Sequence, residues 1–223
     1  MKKKPTGWIR WAAILAAFAL IAVFCRVTIV WDAPASAGDD SQNLTVAQRY
    51  CQDNWDAKML PAILEKAKDA ATVLAAAGKD LSAAGLEYGT RENETSAWNF
   101  CLTGEGVIVD LVNAEKASKT RLAVDLLPGD GAADLLIQWS SVLKTNAIRD
   151  SVGFLKLDDF ANQVEFAELT RAFNARVQQD LITRMDATAL KGKKISFTGC
   201  VALTQFTGAS DAEVIPVALS EVD

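Results

Sequence analysis

The stretch FCLTGEGVIVDLV, residues 100–112, marks the point where the chain changes from a helical to a strand-like pattern. Upstream of it apolar residues recur at helical spacing, whereas from Trp98 onward they alternate with polar ones. Glycines at positions 104 and 106 interrupt the stretch, where a β-bulge or a tight bend is typical. We therefore predict that a long, bent strand begins a sheet here.

Two further strands are predicted directly after it. Residues 119–127 (KTRLAVDLL) and 132–139 (AADLLIQW) both place apolar side chains at alternating positions. The intervening PGDG, residues 128–131, contains an Asp-Gly pair, which favours a hairpin turn. The first part of this region is therefore predicted to consist of three strands.

A helix and two more strands are predicted in the remaining part. One apolar stripe at helical spacing comprises Phe166, Leu169, Phe173, Val177 and Leu181. Residues 190–203 (LKGKKISFTGCVAL) then predict a turn and a fourth strand, and residues 212–222 (AEVIPVALSEV) predict a fifth. Pro216 restricts this last strand to an edge or a bulged position because proline lacks a backbone N–H.

Three strands, a helical connection and two strands are the element order of the OB-fold, a five-stranded Greek-key barrel. We therefore predict an α+β protein with an OB-like barrel (β-β-β-α-β-β) over residues 98–223. Residues 38–97 are expected to form a polar linker and a helical annex, with a break or kink at Pro61. In this annex one apolar helix face is expected from Ile63 to Leu74, followed by a loop over residues 81–97.

The N-terminal end of the chain carries an export signal. Four basic residues precede the uncharged apolar run from Trp11 to Phe24, an arrangement that directs the following chain across a membrane. Residues 1–37 are therefore predicted to be a signal or anchor segment, which makes the membrane a partner. Three outcomes stay open: cleavage after Ala37, lipidation of Cys25, or retention as an uncleaved anchor.

The charge of the chain excludes some partners. The net charge is −5, and without residues 1–37, which hold five basic residues and one acidic residue, it is −9. Binding to nucleic acid or to an anionic lipid surface depends on Lys and Arg, so we expect neither. The simplest interpretation of the negative charge is solubility.

The cysteine and histidine content limits the chemistry. Cys51, Cys101 and Cys200 follow the signal segment, so that at most one internal disulfide is expected, and its pairing stays open. The alternative to a disulfide is that these cysteines are small buried residues of the core. The sequence has no histidine, which excludes Ser-His-Asp and Cys-His arrangements. No metal-ligand spacing and no phosphate-binding loop is present, so we expect neither a metal site nor a cofactor.

Residues 145–169, TNAIRDSVGFLKLDDFANQVEFAEL, are rich in side chains that bind ligands. Arg and Asp pair well with vicinal hydroxyls or carboxylates, and aromatic rings stack on sugar faces. The candidate ligand-binding residues are Trp139, Asn146, Arg149, Asp150, Phe154, Asn162, Gln163 and Glu165. Each has a structural alternative: the aromatic residues as core, Asn162 and Glu165 as helix caps, and Arg149 with Asp150 as a solvated or capping pair.

Several of these stretches resemble one family. TGEGVIVD (103–110), the segment from Asn146 to Val177 and LKGKKISFTGC (190–200) are similar to the predicted periplasmic lipoproteins catalogued as domain of unknown function 2291. The resemblance implies a bacterial periplasmic protein, often encoded beside sugar ABC transporters. In such relatives the mature chain commonly begins with a lipidated cysteine, whereas here the bulky Phe24 precedes Cys25.

These observations predict a non-catalytic periplasmic binding or accessory protein, anchored to the inner membrane. The expected partners are a sugar ABC transporter or its solute-binding protein, and a small carbohydrate. One alternative is a docking factor for a transporter without a small ligand. Another is a hydrolase that uses carboxylates such as Asp158, Asp159, Glu165 or Glu168. If Arg149 binds ligand, Arg149→Ala is expected to abolish binding with the melting temperature nearly unchanged; a large loss of stability indicates a structural role.

Overall fold

The computed structural model describes residues 44–207 and 211–222. These residues fall within one compact unit, Asn43–Asp223. The predicted signal or anchor segment, with Cys25, lies outside the described residues. Within the described part of the chain, no helix has the length and hydrophobicity that a membrane crossing requires. The division of the exported chain at residues 97 and 98 stays a prediction.

The annex begins with two helices joined by a wider turn. Helix α1 (Val46–Asn54) starts at a capping box, in which the Thr45 side chain and Gln48 satisfy each other's backbone N–H groups. One turn of π-helix, Trp55–Met59, leads into α2 (Leu60–Lys66), and Pro61 lies in the first turn of α2. The sequence predicted a break or kink at Pro61. The winding changes from π to α just before this residue, while the chain stays helical from residue 46 to residue 66.

The second part of the annex differs from the sequence prediction. A two-residue strand, β1 (Lys68–Asp69), interrupts the expected continuous helix face, and Leu64 and Ala71 are exposed. Two helices follow, α3 (Ala70–Lys79) and α4 (Leu81–Tyr88). The side chains of Asp69 and Asp80 accept hydrogen bonds from the N–H groups that begin these two helices.

Helix α4 occupies the first half of residues 81–97, which the sequence predicted to be a loop. The prediction was wrong there because Gly85 was taken as a helix breaker. Gly85 instead permits close packing: a Cβ at this position would lie 2.2 Å from the ring of Trp98. Tertiary packing and the Asp80 cap therefore outweigh the weak helix propensity of glycine.

Five longer strands follow the annex. Their bounds are β2 (Trp98–Val112), β3 (Arg121–Leu126), β4 (Leu135–Gln138), β5 (Lys194–Leu203) and β6 (Glu213–Glu221). The order predicted from the sequence, with three strands before the helical connection and two after it, is confirmed. The short β1 was not predicted and pairs in parallel with β2.

The five long strands form a closed circuit of pairings. Antiparallel pairs join β2 to β3, β3 to β4, β5 to β6 and β2 to β5, and one parallel pair joins β4 to β6. Each of these strands therefore has two neighbours, and we call this arrangement the five-strand ring. The junction of β4 and β6 is short, with only Leu136 opposite Glu213 and Ile137 opposite Val214.

Glycine and proline positions mark the bends of the five-strand ring. Residues 98–107 of β2 pair with β5 and residues 106–112 pair with β3, and the register with β3 shifts between Ile108 and Asp110. A Cβ at Gly106 would lie 2.5 Å from the carbonyl oxygen of Asp125, so only glycine allows β3 to approach this closely. The register of β5 and β6 shifts beside Pro216, as expected for a bulge.

A helical connection links β4 to β5. It contains α5 (Ala147–Ser151), α6 (Gln163–Asp180) and α7 (Ala187–Leu190), with single 3-10 turns at Leu157–Asp159 and Ile182–Arg184. The stripe predicted for α6 is confirmed, since Phe166, Leu169, Phe173 and Val177 are buried and Leu181 is half-buried. Helix α6 packs against α1, and α5 packs against β2 and β5.

Candidate functional site

The short helix α5 places a charged pair at the edge of the core. Ala147 and Ile148 are buried beneath it, and this apolar contact holds the helix on β2 and β5. Arg149 and Asp150 follow on its next positions. Gly153 turns the chain away with a φ of 77°, a conformation that glycine adopts without strain.

Arg149 is only 6% exposed, although it carries a charge. Its Nε donates to Asp150 Oδ1 at 2.6 Å and its Nη2 donates to Asp150 Oδ2 at 3.2 Å. Its Nη1 donates to the carbonyl oxygen of Phe166 at 3.1 Å, and its guanidinium carbon lies 3.9 Å from the centre of the Phe166 ring. Arg149 therefore joins α5 to the first turn of α6 through the hydrogen bond to Phe166 and the cation–π contact, and it holds Asp150 within α5 through a bidentate ion pair.

The segment that precedes β2 is also tied to α5. The hydroxyl of Thr90 donates to the carbonyl oxygen of Asp150 at 2.8 Å. Thr90 in turn exchanges two backbone hydrogen bonds with Asn99 on β2. These bonds fix residues 90–92 opposite the chain that leaves α5.

A cleft of about 280 Å³ lies between these two segments, and we call it the α5 cleft. Its polar lining consists of Thr90, Arg91, Glu92, Asp150, Lys156 and Asp158. Its apolar lining includes Leu155, Leu157 and Phe166, the ring on which Arg149 stacks. The cleft thus combines hydrogen-bond donors, acceptors and apolar surface, which is the usual composition of a small-molecule site.

The charged groups of the α5 cleft are held with different rigidity. Asp150 is half-buried and fixed through both of its carboxylate oxygens, whereas Lys156 and Asp158 are exposed. The guanidinium of Arg91 stacks on Trp98, with its carbon 4.2 Å from the ring centre. Asp150 therefore provides a pre-oriented acceptor, and the exposed residues at the rim are free to adjust.

The candidates at the start of α6 serve the helix itself. Asn162 Oδ1 accepts from the N–H groups of Val164 and Glu165, at 2.9 and 3.0 Å. Glu165 Oε2 accepts from the N–H of Ala161 at 3.3 Å. This is the capping alternative that the sequence left open for these two residues. Gln163 is exposed in the first turn of α6.

The two aromatic candidates differ in solvent exposure. Trp139 is 5% exposed and belongs to the hydrophobic core, so its ring faces no open cleft. Phe154 is 42% exposed, on the chain between α5 and the 3-10 turn at Leu157–Asp159. Burial thus favours the core alternative for Trp139 and leaves Phe154 as a surface ring near the α5 cleft.

Asn146 lies in a second, more open groove. Its Oδ1 accepts from the hydroxyl of Thr170 at 3.1 Å. The groove also contains Asn174, whose Nδ2 donates to the carbonyl oxygen of Leu143 at 3.3 Å, while its buried Oδ1 has no partner within the described residues. The eight candidates therefore do not form one site: they divide between the α5 cleft, this groove, the start of α6 and the core.

Sequence reasoning missed one wall of the α5 cleft. Thr90, Arg91 and Glu92 lie far upstream of residues 145–169, in a segment that was predicted only as a loop. The signal for them was weak: a run of charged residues, RENE, shortly before the start of β2. Lys156 and Asp158 lie within the predicted stretch but were not among the candidates for ligand binding.

Within residues 44–207 and 211–222, no three Cys, Asp or Glu side chains lie close enough together to hold a metal ion. The mixture of charged, polar and apolar side chains in the α5 cleft suits a polar organic molecule.

The fold and the α5 cleft define an α+β protein of the OB-fold class with a small polar surface cleft. A solved OB-fold protein from Thermotoga maritima is similar in structure, with a TM-score of 0.66 over 80% of this chain and 99% of that chain. The two are 18% identical in sequence, so the likeness concerns the fold alone. It supports the OB-fold prediction.

The chain belongs to the family described as "Predicted periplasmic lipoprotein (DUF2291)", whose model matches residues 15–220. The resemblance noted in the sequence is thereby confirmed. The family description also supports the predicted periplasmic location and membrane tether. A comparison with curated proteins gives no match.

Proposed function

We propose that this protein is a non-catalytic periplasmic binding or accessory protein, anchored to the inner membrane, whose α5 cleft binds a small carbohydrate. The observation that carries the proposal is the juxtaposition of the oriented Asp150 carboxylate with Lys156, Asp158 and the apolar Leu155 and Leu157. The tie to a carbohydrate ABC uptake system rests on what the family resemblance implies.

The chemistry of the cleft fits a sugar. Hydroxyl groups both donate and accept hydrogen bonds, and the cleft offers carboxylate acceptors beside Lys and Arg donors. The leucine side chains of the lining suit the C–H groups of a pyranose. A volume of about 280 Å³ lies just below the range of roughly 300–1,000 Å³ for ligand pockets, which favours a ligand of monosaccharide size.

The arrangement of carboxylates supports binding rather than hydrolysis. Of the four acids that the sequence offered for catalysis, Asp158 lines the α5 cleft. Asp159 accepts from the N–H of Lys156, and Glu165 accepts from the N–H of Ala161, so both stabilise local backbone. Glycoside hydrolysis needs two carboxylates that flank the scissile bond and are free to exchange protons. Of the three acids that line the cleft, Asp150 has both oxygens bonded to Arg149, and Glu92 and Asp158 are exposed.

This proposal is tested by measuring the melting temperature of the full chain in detergent. The measurement is repeated with each member of a panel of pentoses, hexoses, polyols and sugar acids. A ligand at about 100 times its dissociation constant stabilises the native state by roughly 2.7 kcal/mol. We expect Lys156→Met and Asp158→Asn to weaken binding of the active compound at least tenfold without lowering the melting temperature. Lys119→Met and Asp53→Asn, exposed residues outside the cleft, are the matched controls. A flat panel on folded protein contradicts sugar binding.

A docking role is the second candidate, and two exposed apolar residues favour it. Phe154 is 42% exposed and Val164 is 67% exposed, on segments that flank the α5 cleft. Exposed apolar side chains near a polar rim are typical of protein contact surfaces. In this case Phe154→Ser would abolish co-purification with a transporter subunit or solute-binding protein, while every compound of the sugar panel leaves the melting temperature unchanged.

A further inference from the structure

Two of the three cysteines in the described residues face each other across the five-strand ring. Cys101 on β2 pairs directly with Cys200 on β5 in the antiparallel register. They are 3% and 0% exposed, and all three described thiols are free in this structure. Side chains of directly opposed residues project to the same side of a sheet, so the two sulfur atoms meet in the core.

The backbone pattern identifies the type of this pair. Asn99, two residues before Cys101, directs both its N–H and its carbonyl group to Thr90, away from β5. Residues two apart in a strand direct their backbone groups to the same side, so Cys101 and Cys200 form a non-hydrogen-bonded pair. In such pairs the Cα atoms lie about 4.5 Å apart, which falls within the range of about 4.4–6.8 Å for disulfides.

The two thiols also influence each other electrostatically. A hydrogen bond with Cys200 lowers the pKa of Cys101, while the same bond together with burial raises the pKa of Cys200. Ser151, the last residue of α5, lowers the pKa of both. The two thiols are therefore hydrogen-bonded to each other and titrate as a pair.

The third cysteine is set apart from this pair. Cys51 on α1 directs its Sγ to the carbonyl oxygen of Ala172 on α6, at 3.6 Å. Burial raises the pKa of Cys51 to about 11, which keeps it as a protonated, unreactive thiol near neutral pH. The odd number of cysteines after the signal segment is thus explained by one pair and one inert thiol.

We propose that Cys101 and Cys200 are joined by a disulfide in the exported protein, which ties β2 to β5 beneath α5. The oxidant is the disulfide of a thiol–disulfide oxidoreductase, in keeping with the predicted periplasmic location. The thiolate of one of the two cysteines attacks this disulfide and releases one donor thiolate, and the thiolate of the other cysteine then attacks the sulfur of the first and releases the second. Two electrons pass to the donor, which becomes a dithiol, and two protons leave the cysteines.

Mass spectrometry of the full chain, exported into a bacterial periplasm, tests the proposal. The protein is unfolded without reductant, labelled with N-ethylmaleimide and digested. We expect one linked peptide that contains Cys101 and Cys200, and a labelled Cys51. Cys51→Ala is expected to leave the linked peptide unchanged. Cys101→Ala is expected to remove it and to leave Cys200 labelled.

Labelling of both Cys101 and Cys200 in the wild-type chain overturns the proposal, and so does a linked peptide that contains Cys51. Because the wild-type chain alone decides between these outcomes, the result does not depend on whether a variant folds. The cross-link closes a loop of roughly 100 residues, so the double variant Cys101→Ala/Cys200→Ala is expected to melt roughly 10 °C below the Cys51→Ala control. An equal melting temperature for these two variants also counts against the disulfide.

Discussion

At the scale of single residues, Arg149 has a side chain of a type that binds ligands, but it serves the protein's own structure. Its side chain is well suited to a ligand, yet in the structure its donors are directed to Asp150 and the carbonyl oxygen of Phe166. Burial at 6% exposure leaves little of it for an incoming molecule. Arg149 therefore positions Asp150, and Asp150 is the member of the pair that lines the α5 cleft.

The Arg149→Ala variant is expected to lose roughly 2–4 kcal/mol of unfolding free energy, because it leaves the half-buried Asp150 carboxylate and a carbonyl oxygen without their partner. Denaturant unfolding measures this loss. Arg171→Ala, an exposed arginine on α6, is the control and is expected to change stability by less than about 0.5 kcal/mol. A stable Arg149→Ala protein that has lost ligand binding would restore the direct ligand role.

At the scale of elements, residues at the start of α6 that the sequence offered for ligand binding cap the helix instead. Asn162 and Glu165 are spaced three residues apart before an apolar stripe, and this spacing serves capping as well as binding. The observed bonds to Val164, Glu165 and Ala161 satisfy N–H groups that have no partner inside the helix.

We expect Asn162→Ala to lower the unfolding free energy by about 1 kcal/mol, because it removes the acceptor for two helix N–H groups. Gln163→Ala, one position further, is the matched comparison and is expected to be nearly neutral. Chemical denaturation of both variants, with ligand affinity measured in parallel, separates capping from recognition. Equal stability of the two variants would exclude the capping role for Asn162.

At the scale of the whole molecule, the five-strand ring depends on close approach between backbones. A Cβ at Gly199 on β5 would lie 2.5 Å from the carbonyl oxygen of Ile215 on β6. The shift in register next to Pro216 occurs at the same place. Glycine and proline therefore cooperate where β5 and β6 bend together.

The Gly199→Ala variant is expected to be destabilised by roughly 1–3 kcal/mol, since rigid backbone cannot move aside for the added methyl group. Gly104→Ala on β2 is the control, because its Cβ would meet its nearest neighbours at ordinary contact distances of 3.4 and 3.5 Å. Thermal melts of both variants measure the difference. A Gly199→Ala protein as stable as the Gly104→Ala protein would disprove the requirement for close approach.

The amino-acid pattern alone was sufficient for the five long strands, the apolar stripe of α6, the irregular winding beside Pro61 and the family resemblance. These features depend on local periodicity and on the backbone restrictions of proline, which act over a few residues. For the same reason the sequence indicated residues 145–169 as the connection before the fourth strand.

Contacts between distant segments were beyond the reach of that pattern. Four features depend on packing between residues far apart in the chain. They are helix α4, strand β1, the wall of the α5 cleft at residues 90–92, and the pairing of Cys101 with Cys200. The same is true of the partners of Arg149, since a charged side chain carries no local signal of whether another element will satisfy it. Local propensity thus specifies the helices and strands, whereas tertiary packing decides which groups each side chain contacts.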